Sequence, residues 1–508
     1  EELTLQTPES FFKRFRINMK IHHEVISIHP ERKTVSVKNL ENGEIFEENY
    51  DKLILSPGAK PTQPRLPGAG IDKLFTLRTV EDTFRIKEYI NKNHPKSAVL
   101  AGGGFIGLEL AENLRELGMD VTIVQRPKQL MNPFDPDMAS MIHNEMRKHG
   151  IKLVLGYTVE GFKEKDNGVE VLLKDNPSLQ ADMVVLAIGV TPDTVLAKEA
   201  GLELGIKESI VVNDRMETSV PDIYAAGDAV QVKHYVTGND ALISLAGPAN
   251  KQGRIIADNI CGGDSHYLGS QGSSVIKVFD MTAATTGINE TNAKKSGLEV
   301  DTVILSPMSH AGYYPGGKVM TMKVVFEKET YRLLGAQIIG YEGVDKRIDV
   351  LATAIHARLN ATQKKDLDLA YAPPYSSAKD PVNMAGFMID NIAKGTLKQW
   401  HLEDMDKISK DKDVVLLDVR TVGEFNRGHM DGFKNIPVDE LRERINEIEK
   451  GKPVYLICQS GLRSYIASRI LEGNGYETYN FSGGFRFYDA VVNDRALIEK
   501  AYACGMDY

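Results

Sequence analysis

Cys458 opens a short segment whose residue types suit sulfur chemistry. The apolar run Lys452–Ile457 predicts a buried strand that leads directly into Cys458-Gln459-Ser460-Gly461-Leu462-Arg463. A thiolate at such a strand-to-helix turn would be stabilised by backbone N–H groups and by the positive end of the helix. Arg463 would add a fixed cation beside a sulfane sulfur bound to Cys458. The alternative, a buried and inert thiol, is disfavoured because Gly461 and Arg463 stand where an anion-binding loop needs them.

A second segment has the spacing of a pyrophosphate-binding loop. Residues 98–101 predict a strand, the run from Gly102 to Gly107 has the pattern G-x-G-x-x-G, and a helical stretch follows. Gly102 permits a tight turn, Gly104 lets the backbone approach the phosphates, and Gly107 allows close packing of the helix on the strand. A second strand at 121–124 completes the unit, so we expect this loop to bind NAD(P)H.

The end of the strand at 121–124 bears on which nucleotide is used. A carboxylate at this point, about twenty residues past the glycines, normally binds the adenosine ribose 2′-hydroxyl. Here the position is Gln125, followed by Arg126. A neutral side chain beside a cation favours a 2′-phosphate, so NADPH should be accepted, with or without NADH. The alternative is that Arg126 is only a solvated surface charge.

Three apolar strands that end in glycine indicate a flavin as well. The segment 216–228, which ends in Ala-Ala-Gly-Asp, resembles the second FAD motif of flavoprotein reductases with two dinucleotide-binding domains. In that motif the aspartate contacts the ribityl and pyrophosphate region, a role that falls here to Asp228. Segments 50–59 and 181–192 resemble the two connecting motifs of the same group. The last two segments lie where the chain passes between the FAD and NAD(P)H domains. The predicted cofactor-binding residues at these turns are Ser56, Gly58, Gly189 and Gly227, in addition to Asp228.

The composition describes a protein of several domains. At 508 residues, 42% hydrophobic and 26% charged, the chain can build about three to four cores of ordinary size. Its net charge of -9 disfavours nucleic acid and anionic membranes as bulk partners. No apolar run approaches the roughly 20 residues of a spanning helix, so we expect a cytoplasmic protein. Cys261, Cys458 and Cys504 are too few and too scattered for a disulfide framework, and no metal site is predicted.

Roughly the last hundred residues resemble a rhodanese domain. The resemblance implies an α/β fold in which Cys458 carries a persulfide. Asp418 and Arg420 are interpreted as a structural ion pair. Five motifs of that family occur in its order: LLDVR at 416–420, EFNRGHMDG at 424–432, NIP at 435–437, CQSGLRS at 458–464 and FSGGF at 481–485.

Nearly the whole chain resembles the coenzyme A disulfide reductases, and more closely their rhodanese-fused form, which is similar to the NAD(P)H-dependent persulfide reductases. The resemblance implies a homodimer built through about residues 272–391, in which the tyrosines of one subunit reach the flavin and thiol site of the other. It also implies hydride transfer from NAD(P)H to the flavin and onward reduction of a cysteine sulfur. Five further segments carry it: 245–254, 277–287, 310–316, 346–350 and 371–376.

The same resemblance nominates groups for proton transfer and for coenzyme A. Tyr313 and Tyr371 are the preferred acids for the departing sulfur, and Tyr314 and Tyr375 stay open as neighbours. Without the motifs around it, a tyrosine is more often a packing residue. The phosphates of coenzyme A need cations or other donors. The candidates for this role are Lys13, Arg14, Asn250, Lys251 and Arg254.

We therefore expect an α/β flavoprotein reductase with two dinucleotide-binding domains, followed by an α+β dimerisation domain and an α/β rhodanese domain. The reductase family begins with a first G-x-G-x-x-G and a redox cysteine, whereas this chain opens with Glu1-Glu2-Leu3. We expect about fifty N-terminal residues to be missing, and the redox cysteine stays unidentified. The predicted boundaries are 1–75 and 191–271 for the FAD domain, 76–190 for the NAD(P)H domain, 272–391 for dimerisation, 392–412 for a linker and 413–508 for rhodanese.

The predicted function is FAD-dependent reduction of coenzyme A disulfide, persulfide or polysulfide by NAD(P)H, with a rhodanese domain that carries sulfane sulfur. Two alternatives remain open. A water-forming NAD(P)H oxidase would use the same architecture with its cysteine oxidised to sulfenic acid, and oxygen consumption separates it. A flavin-free sulfur-transfer scaffold would be colourless. The sequence leaves open which substrate is physiological and whether Cys458 exchanges sulfur directly with the flavin site.

Overall fold

The computed structural model describes residues 6–166 and 168–503, with side chains described as far as residue 500. Cys504 lies outside these ranges. The chain divides into two compact units. Unit 1 holds the residues up to Lys60 together with Val190–Ser270, and unit 2 holds Pro61–Gly189 and the residues from Gln271 onward. None of the helices in the described ranges is long and apolar enough to cross a membrane.

The helices and strands follow in chain order. The first region contains α1 (Pro8–Phe15), β1 (His23–His29), β2 (Thr34–Asn39), β3 (Ile45–Asn49), β4 (Leu53–Leu55) and β5 (Ala59–Pro61). The second contains β6 (Leu74–Thr76), α2 (Val80–Asn93), β7 (Ser97–Ala101), α3 (Phe105–Glu116), β8 (Asp120–Gln125), α4 (Pro136–Lys148), β9 (Lys152–Leu155), β10 (Val159–Lys165), β11 (Gly168–Leu173), β12 (Asn176–Ala181) and β13 (Met183–Leu186). The third contains β14 (Val190–Pro192), α5 (Val195–Glu199), β15 (Ile223–Ala225), β16 (Val232–Lys233), β17 (Asp240–Ala241) and α6 (Ala246–Ile260).

The rest of the chain completes unit 2. The fourth region contains β18 (Ser274–Val278), β19 (Met281–Gly287), α7 (Glu290–Lys295), β20 (Val300–Leu305), β21 (Met320–Glu327), β22 (Leu333–Gly340), α8 (Val344–His356) and α9 (Pro381–Ala393). The fifth contains β23 (Gln399–Trp400), α10 (Met405–Ile408), β24 (Val415–Asp418), α11 (Val422–Arg427), β25 (Lys434–Asn435), β26 (Val454–Ile457), α12 (Leu462–Glu472), β27 (Thr478–Phe481) and α13 (Gly484–Ala503).

Unit 1 has two sheets that matter for the site. Strands β1, β2 and β3 form an antiparallel sheet. Strand β15 pairs in parallel with β4, and Ala225 lies opposite Leu55. Ile223 and Ala225 of β15 are buried in the core of the unit together with Ile256 of α6. Because parallel strands point the same way, the turns that follow β4 and β15 lie at one edge of this sheet.

The second region is built around a five-stranded parallel sheet in the order β6-β13-β7-β8-β9. The last four residues of β7, Ala98–Ala101, are all buried, as is normal for a central parallel strand covered on both faces. The strand predicted at 98–101, the helix that follows the glycines and the strand predicted at 121–124 are confirmed as β7, α3 and β8. The turn between β7 and α3 therefore lies at the carboxyl edge of the sheet.

The fourth region is a five-stranded antiparallel sheet in the order β18-β19-β22-β21-β20. Lys323 on its strand β21 is fully buried and its Nζ lies 2.7 Å from Asp137, 2.8 Å from Glu290 and 3.2 Å from Asp135. Burial alone would lower the pKa of Lys323, but the three carboxylates raise it above its ordinary value. This ion cluster fastens the antiparallel sheet to the start of α4 in the nucleotide region.

The fifth region is a parallel sheet in the order β23-β27-β26-β24-β25. Gln399 and Trp400, which fall inside the range predicted as a linker, form β23 of this sheet. Trp400 is only 2% exposed and its ring lies 4.5 Å from that of Phe481. Gln399 donates to the carbonyl of Thr302 at 2.7 Å, so β23 joins the sheet to its antiparallel neighbour.

Candidate functional site

Cys458 begins the turn that follows β26, and its side chain is fully buried. Its Sγ accepts a hydrogen bond from the backbone N–H of Gly461 at 3.1 Å. The hydroxyl of Ser464 lies 3.2 Å from Sγ and 3.1 Å from the carbonyl oxygen of Gly461, so its one proton is shared between these two acceptors. Gly461 has a φ of +99°, a conformation that lets its N–H turn back toward the sulfur. Polar hydrogens directed at one buried sulfur suit a site that holds a sulfane sulfur. We call residues Cys458–Arg463 the sulfur loop.

A glycine segment forms the wall behind the sulfur loop. The backbone N–H of Phe485 donates to the carbonyl of Cys458 at 2.8 Å. Gly484 has a φ of +74°, and a Cβ at this position would lie 2.7 Å from backbone atoms of Gln459 and Ser460. Glycine is therefore required at position 484, which explains the sequence FSGGF in structural terms.

Arg463 does not stand beside the sulfur as a free cation. Its guanidinium forms two hydrogen bonds of 2.7 Å with the two carboxylate oxygens of Glu424. Together with donors from Thr421, which caps α11, this pair lowers the pKa of Glu424 to about 2. The positive charge of Arg463 is thus largely neutralised by Glu424. Sequence reasoning missed this partner, although Glu424 begins the EFNRGHMDG motif.

A second ion pair lies beneath the loop and is structural, as predicted. Arg420 and Asp418 are both buried, with Nη2 and Oδ2 2.6 Å apart. The guanidinium also lies 3.8 Å from the ring centre of Phe485 and reaches the Gln459 side chain. Through Gln459 and Phe485, this pair supports the sulfur loop and the segment behind it.

The turn from Gly102 to Gly107, here called the nucleotide loop, has the form that a pyrophosphate needs. Gly102 has a φ of +120°, and a Cβ there would collide with the carbonyl of Ala187. A Cβ on Gly107 would collide with the carbonyl of Gly102, whereas a Cβ on Gly104 would meet no atom within 4 Å. Helix α3 begins after Gly104 without a side-chain cap, so its first N–H groups remain for an anion. The loop therefore fits the phosphates of NAD(P)H.

The residues predicted to select the nucleotide lie beside this loop. The side-chain oxygen of Gln125 accepts a hydrogen bond from the backbone N–H of Gly103 at 3.0 Å. Gln125 thus fixes the loop as well as standing where a ribose contact is expected. Arg126 is exposed at the end of β8. A cation in this position is available to a 2′-phosphate.

The other residues predicted to bind a cofactor fall in both units. In unit 1, β4 and β15 end side by side, which brings Ser56 and Gly227 to one edge. Gly227 has a φ of +82° and donates its N–H to the Gln252 side chain at 2.7 Å, and Asp228 is half-buried next to it. A glycine turn followed by a carboxylate at a strand end fits the ribityl and pyrophosphate part of a flavin.

Two more glycines were predicted to bind a cofactor. Gly58 has a φ of +71° and its carbonyl accepts from the N–H of Asp193 within unit 1. Gly189 belongs to unit 2, has a φ of +112°, and accepts from the N–H of Thr62. Both carry turns that end apolar strands, as the sequence indicates.

The candidates for coenzyme A lie on two helices of unit 1. Lys13 and Arg14 are exposed in the last turn of α1. Lys251 and Arg254 are exposed on α6, and Arg254 lies 3.7 Å from Asp258 on the next turn. Asn250 donates to the backbone carbonyl of Ala246. No group of three or more His, Cys, Asp or Glu side chains within the described ranges is placed to hold a metal ion.

The structure brings the two preferred tyrosines together. The hydroxyl oxygens of Tyr313 and Tyr371 are 2.9 Å apart, although the residues are 58 positions apart in sequence. Tyr313 is 77% exposed and Tyr371 is 46% exposed, so neither ring is packed in a core. The hydrogen bond that Tyr371 shares with Tyr313 is the main cause that raises the pKa of Tyr371 above its ordinary value. Tyr314 and Tyr375 are exposed nearby.

A buried arginine that sequence reasoning did not single out holds the tyrosine loops. Arg347 of α8 donates to the carboxylate of Asp380 at 3.0 Å and to the backbone carbonyls of Ser309 and Tyr375. It lies within the segment 346–350, so the motif that carried the resemblance contained the signal. A cavity of about 460 Å³ adjoins it, lined in part by Lys346, Tyr371 and Tyr375.

Three families match this chain in succession. Residues 6–253 match the family described as pyridine nucleotide-disulphide oxidoreductase, and residues 273–381 match the dimerisation domain of that family. Residues 401–490 match the rhodanese-like domain.

Several known proteins are similar to this chain. The coenzyme A disulfide reductase of Staphylococcus aureus is 36% identical over 382 residues, which is 75% of this chain and 85% of that protein. The crystal structure of reduced Bacillus anthracis CoADR-RHD has a TM-score of 0.95 and 46% identity, covering 97% of this chain and 88% of its own. An NAD-dependent persulfide reductase from A. fulgidus has a TM-score of 0.89 and 37% identity, covering 96% and 89%.

Proposed function

The chain belongs to the pyridine nucleotide-disulphide oxidoreductase family, and from this premise we propose that it uses NAD(P)H to reduce coenzyme A disulfide or a coenzyme A persulfide. Its rhodanese-like domain carries sulfane sulfur on Cys458 toward that reaction. The chain is an oxidoreductase with a fused sulfur-binding module, and the substrate class follows from what the two modules share, which is sulfur at the disulfide or persulfide level.

The observation that carries this proposal is the surroundings of the Cys458 sulfur. A thiol that served only to fill the core would need no hydrogen-bond donors, yet the backbone N–H of Gly461 donates to Sγ and the Ser464 hydroxyl lies 3.2 Å from it. A reductase of oxygen has no use for such a loop. A reductase of persulfides does, because the loop can hold the outer sulfur of a donor until it is passed on.

The residues in unit 1 and unit 2 supply the binding functions. Gly104 and the start of α3 would hold the nucleotide phosphates, and Gly227 with Asp228 would hold FAD. FAD supplies the transfer of a hydride from NAD(P)H to a two-electron sulfur acceptor. Lys251 and Arg254, both exposed on α6, are proposed contacts for the phosphates of coenzyme A.

The tyrosine pair is proposed as the proton source for the leaving sulfur. A tyrosine hydroxyl carries its proton at neutral pH, so Tyr371 has a proton to donate to a departing thiolate. Tyr313 in turn orients the hydroxyl of Tyr371. Both residues lie in or next to the part that matches the dimerisation domain, and we propose that the pair acts at the site of the other subunit in a homodimer.

The test compares acceptors for the protein with bound FAD. NADPH oxidation is measured without oxygen in the presence of coenzyme A disulfide or coenzyme A persulfide, and separately in air with no sulfur compound. We expect turnover with the sulfur acceptors and little in air. Fast oxygen consumption with no response to sulfur acceptors would instead identify an oxidase.

A set of tyrosine variants tests the proton source. Tyr371→Phe should reduce turnover with coenzyme A disulfide by about tenfold to a hundredfold, the range for loss of a general acid. Tyr375→Phe is the matched control because it lies on the same loop and its hydroxyl is not part of the pair. Equal activity of the two variants would remove the tyrosine pair from the mechanism.

A further inference from the structure

Helix α13 runs well past the rhodanese part and packs on the nucleotide region. The rhodanese match ends at residue 490, whereas α13 continues to Ala503. Asp494, which lies in this extension, is 1% exposed although it is a carboxylate. Its oxygens lie 2.8 Å from Nδ1 of His143 and 2.5 Å from Nη1 of Arg147, both on α4. Each carboxylate oxygen is therefore committed to one partner.

The second nitrogen of His143 reaches the segment that precedes α4. His143 is 1% exposed, and its Nε2 lies 3.0 Å from the backbone nitrogen of Leu130. Since the Leu130 N–H is a donor, Nε2 must be the unprotonated ring nitrogen. Nδ1 must then carry the proton, which it donates to Asp494. Asp494 thus selects the only neutral form of His143 that can accept from Leu130.

The segment 126–135 leads from there to the nucleotide loop. The N–H of Met131 donates to the carbonyl of Gly103 at 2.8 Å. A Cβ on Gly103 would collide with the side chain of Leu130, so the two residues are in close contact. Met131 has a φ of +51°, an unfavourable conformation for a residue other than glycine that persists only where neighbours impose it. Here the hydrogen bonds made by the N–H groups of Leu130 and Met131 impose this conformation.

From these contacts we propose that Asp494 and His143 are positioning residues for NAD(P)H binding, acting through Leu130 on Gly103. Gly103 is held on both sides, by Gln125 at its N–H and by Met131 at its carbonyl. Loss of the second restraint lets the loop leave the geometry that presents Gly104 to the phosphates. The C-terminal helix of the sulfur-carrying part thereby sets the nucleotide affinity of the reductase part. The inference rests on the proposed nucleotide-binding role of this loop.

The principal variant is Asp494→Asn. Its single side-chain oxygen cannot accept from both Arg147 and His143, and with the oxygen on Arg147 its amide would donate to Nδ1. His143 must then protonate Nε2, which sets that N–H against the N–H of Leu130. We expect the dissociation constants for NADP+ and NAD+, measured by calorimetry, and the KM for NADPH to rise about fivefold to tenfold.

A split between readouts separates positioning from general stability. In Asp494→Asn, kcat and sulfur transfer by Cys458 should change by less than about twofold, since neither depends on the 126–135 segment. Asn144→Ala is the matched control, because Asn144 on α4 donates to the carbonyl of Ala490 on α13 and is not linked to Leu130. It should leave the nucleotide affinity unchanged. An equal loss of affinity in Asn144→Ala would mean that helix docking alone is responsible, and would overturn the proposal.

A rescue variant keeps the proposal testable if Asp494→Asn folds poorly. His143→Gln carries an acceptor oxygen that needs no choice of tautomer, so it should bind NADP+ better than His143→Leu and make Asp494→Asn harmless in the double variant. No difference between His143→Gln and His143→Leu would contradict the relay. A wild type that binds neither nucleotide would overturn the proposed function and this inference together, whereas normal wild-type binding with unaffected variants overturns the inference alone.

Discussion

The nucleotide loop and the sulfur loop occupy the same place in two different sheets. Each follows the third strand of a five-stranded parallel sheet, β7 or β26, and each leads into a helix, α3 or α12. At the nucleotide loop, a side chain on Gly104 would meet no atom within 4 Å. At the sulfur loop, the Cys458 side chain is 0% exposed, and its sulfur accepts a hydrogen bond from the N–H of Gly461.

The two loops share one backbone arrangement, a turn from a parallel strand into a helix, and differ in whether the turn carries a side chain. Both turns direct N–H groups from a helix start to one point, which favours negative charge there. Where the turn carries no side chain, the point is open to phosphates brought by a ligand. Where the turn carries a cysteine, the chain itself places a sulfur atom at that point. In the proposed function, the nucleotide loop binds a ligand and the sulfur loop takes part in the reaction.

The strongest test of this contrast removes the sulfur. Cys458→Ser should reduce NADPH oxidation driven by a sulfane donor by at least about a hundredfold, because a hydroxyl does not hold sulfane sulfur. NADP+ affinity and the rate with preformed coenzyme A persulfide should stay within about twofold, since the nucleotide loop is a separate site. Equal retention of both rates would exclude Cys458 from the pathway.

The next test fills the open turn. Gly104→Ala should weaken NADP+ binding by about tenfold to a hundredfold, because the new methyl group occupies the space meant for phosphate. Gly104 has a φ of -90° and open surroundings, so thermal stability should not change. Gly70→Ala is the control, as Gly70 also has open surroundings in unit 2. Normal nucleotide binding in Gly104→Ala would show that the turn is not a phosphate site.

A smaller effect is expected from a charge at the edge of the nucleotide loop. Gln125→Glu keeps an acceptor for the N–H of Gly103 but repels a 2′-phosphate. The ratio of kcat/KM for NADPH to that for NADH should fall about tenfold from a wild-type ratio within about tenfold of one. A wild type that favoured NADH by about a thousandfold would contradict this reading of Gln125 and Arg126.

The smallest effect concerns the neutralised cation of the sulfur loop. Glu424→Gln frees Arg463, so the affinity for an anionic donor such as thiosulfate should rise about threefold and fall with added salt. Glu447→Gln, which removes a pair with Arg444 elsewhere in the same domain, is the control. An unchanged affinity in Glu424→Gln would show that Arg463 does not act on the donor.

The pH dependence of that pair follows from the lowered pKa of Glu424. The folded value is about 2 against an ordinary 4.5, so the pair stabilises the rhodanese part fully above 4.5 and loses its effect as the pH falls from there toward 2. Sulfur-transfer rates measured between about pH 5 and about pH 9 should therefore show no titration of Glu424. An inflection in this window that disappears in Glu424→Gln would contradict the assignment.

Both loops could be located from the sequence because each is built from neighbouring residues. A strand, a glycine turn and a helix start lie within about a dozen positions, and local geometry follows from residue type. The contacts that modify the loops come from far away. Glu424 is 39 positions from Arg463, and Asp494 is 351 positions from His143. Pairings of this kind depend on how sheets and helices pack, which the pattern of one segment does not contain.

The tyrosine pair was predicted although its two residues are distant in sequence. The 58 positions between Tyr313 and Tyr371 gave no local signal, and only the family resemblance singled them out. Arg347, which joins their loops, lies in the segment 346–350 that contributes to the family resemblance. It could not be given a role until its partners were known. Strand β23 was missed because two residues are too few for an alternation pattern, and Trp400 is fixed by packing on Phe481.

Trp400 gives this molecule a built-in optical reporter. It is the single tryptophan of the chain, and it lies in β23, where the rhodanese sheet meets its neighbour through Gln399 and Thr302. Selectively excited indole emission therefore comes from one known location. Its spectrum should shift to the red when this sheet separates or unfolds and stay constant when only unit 1 opens. Fluorescence can thus follow the melting of the sulfur-carrying part without any label.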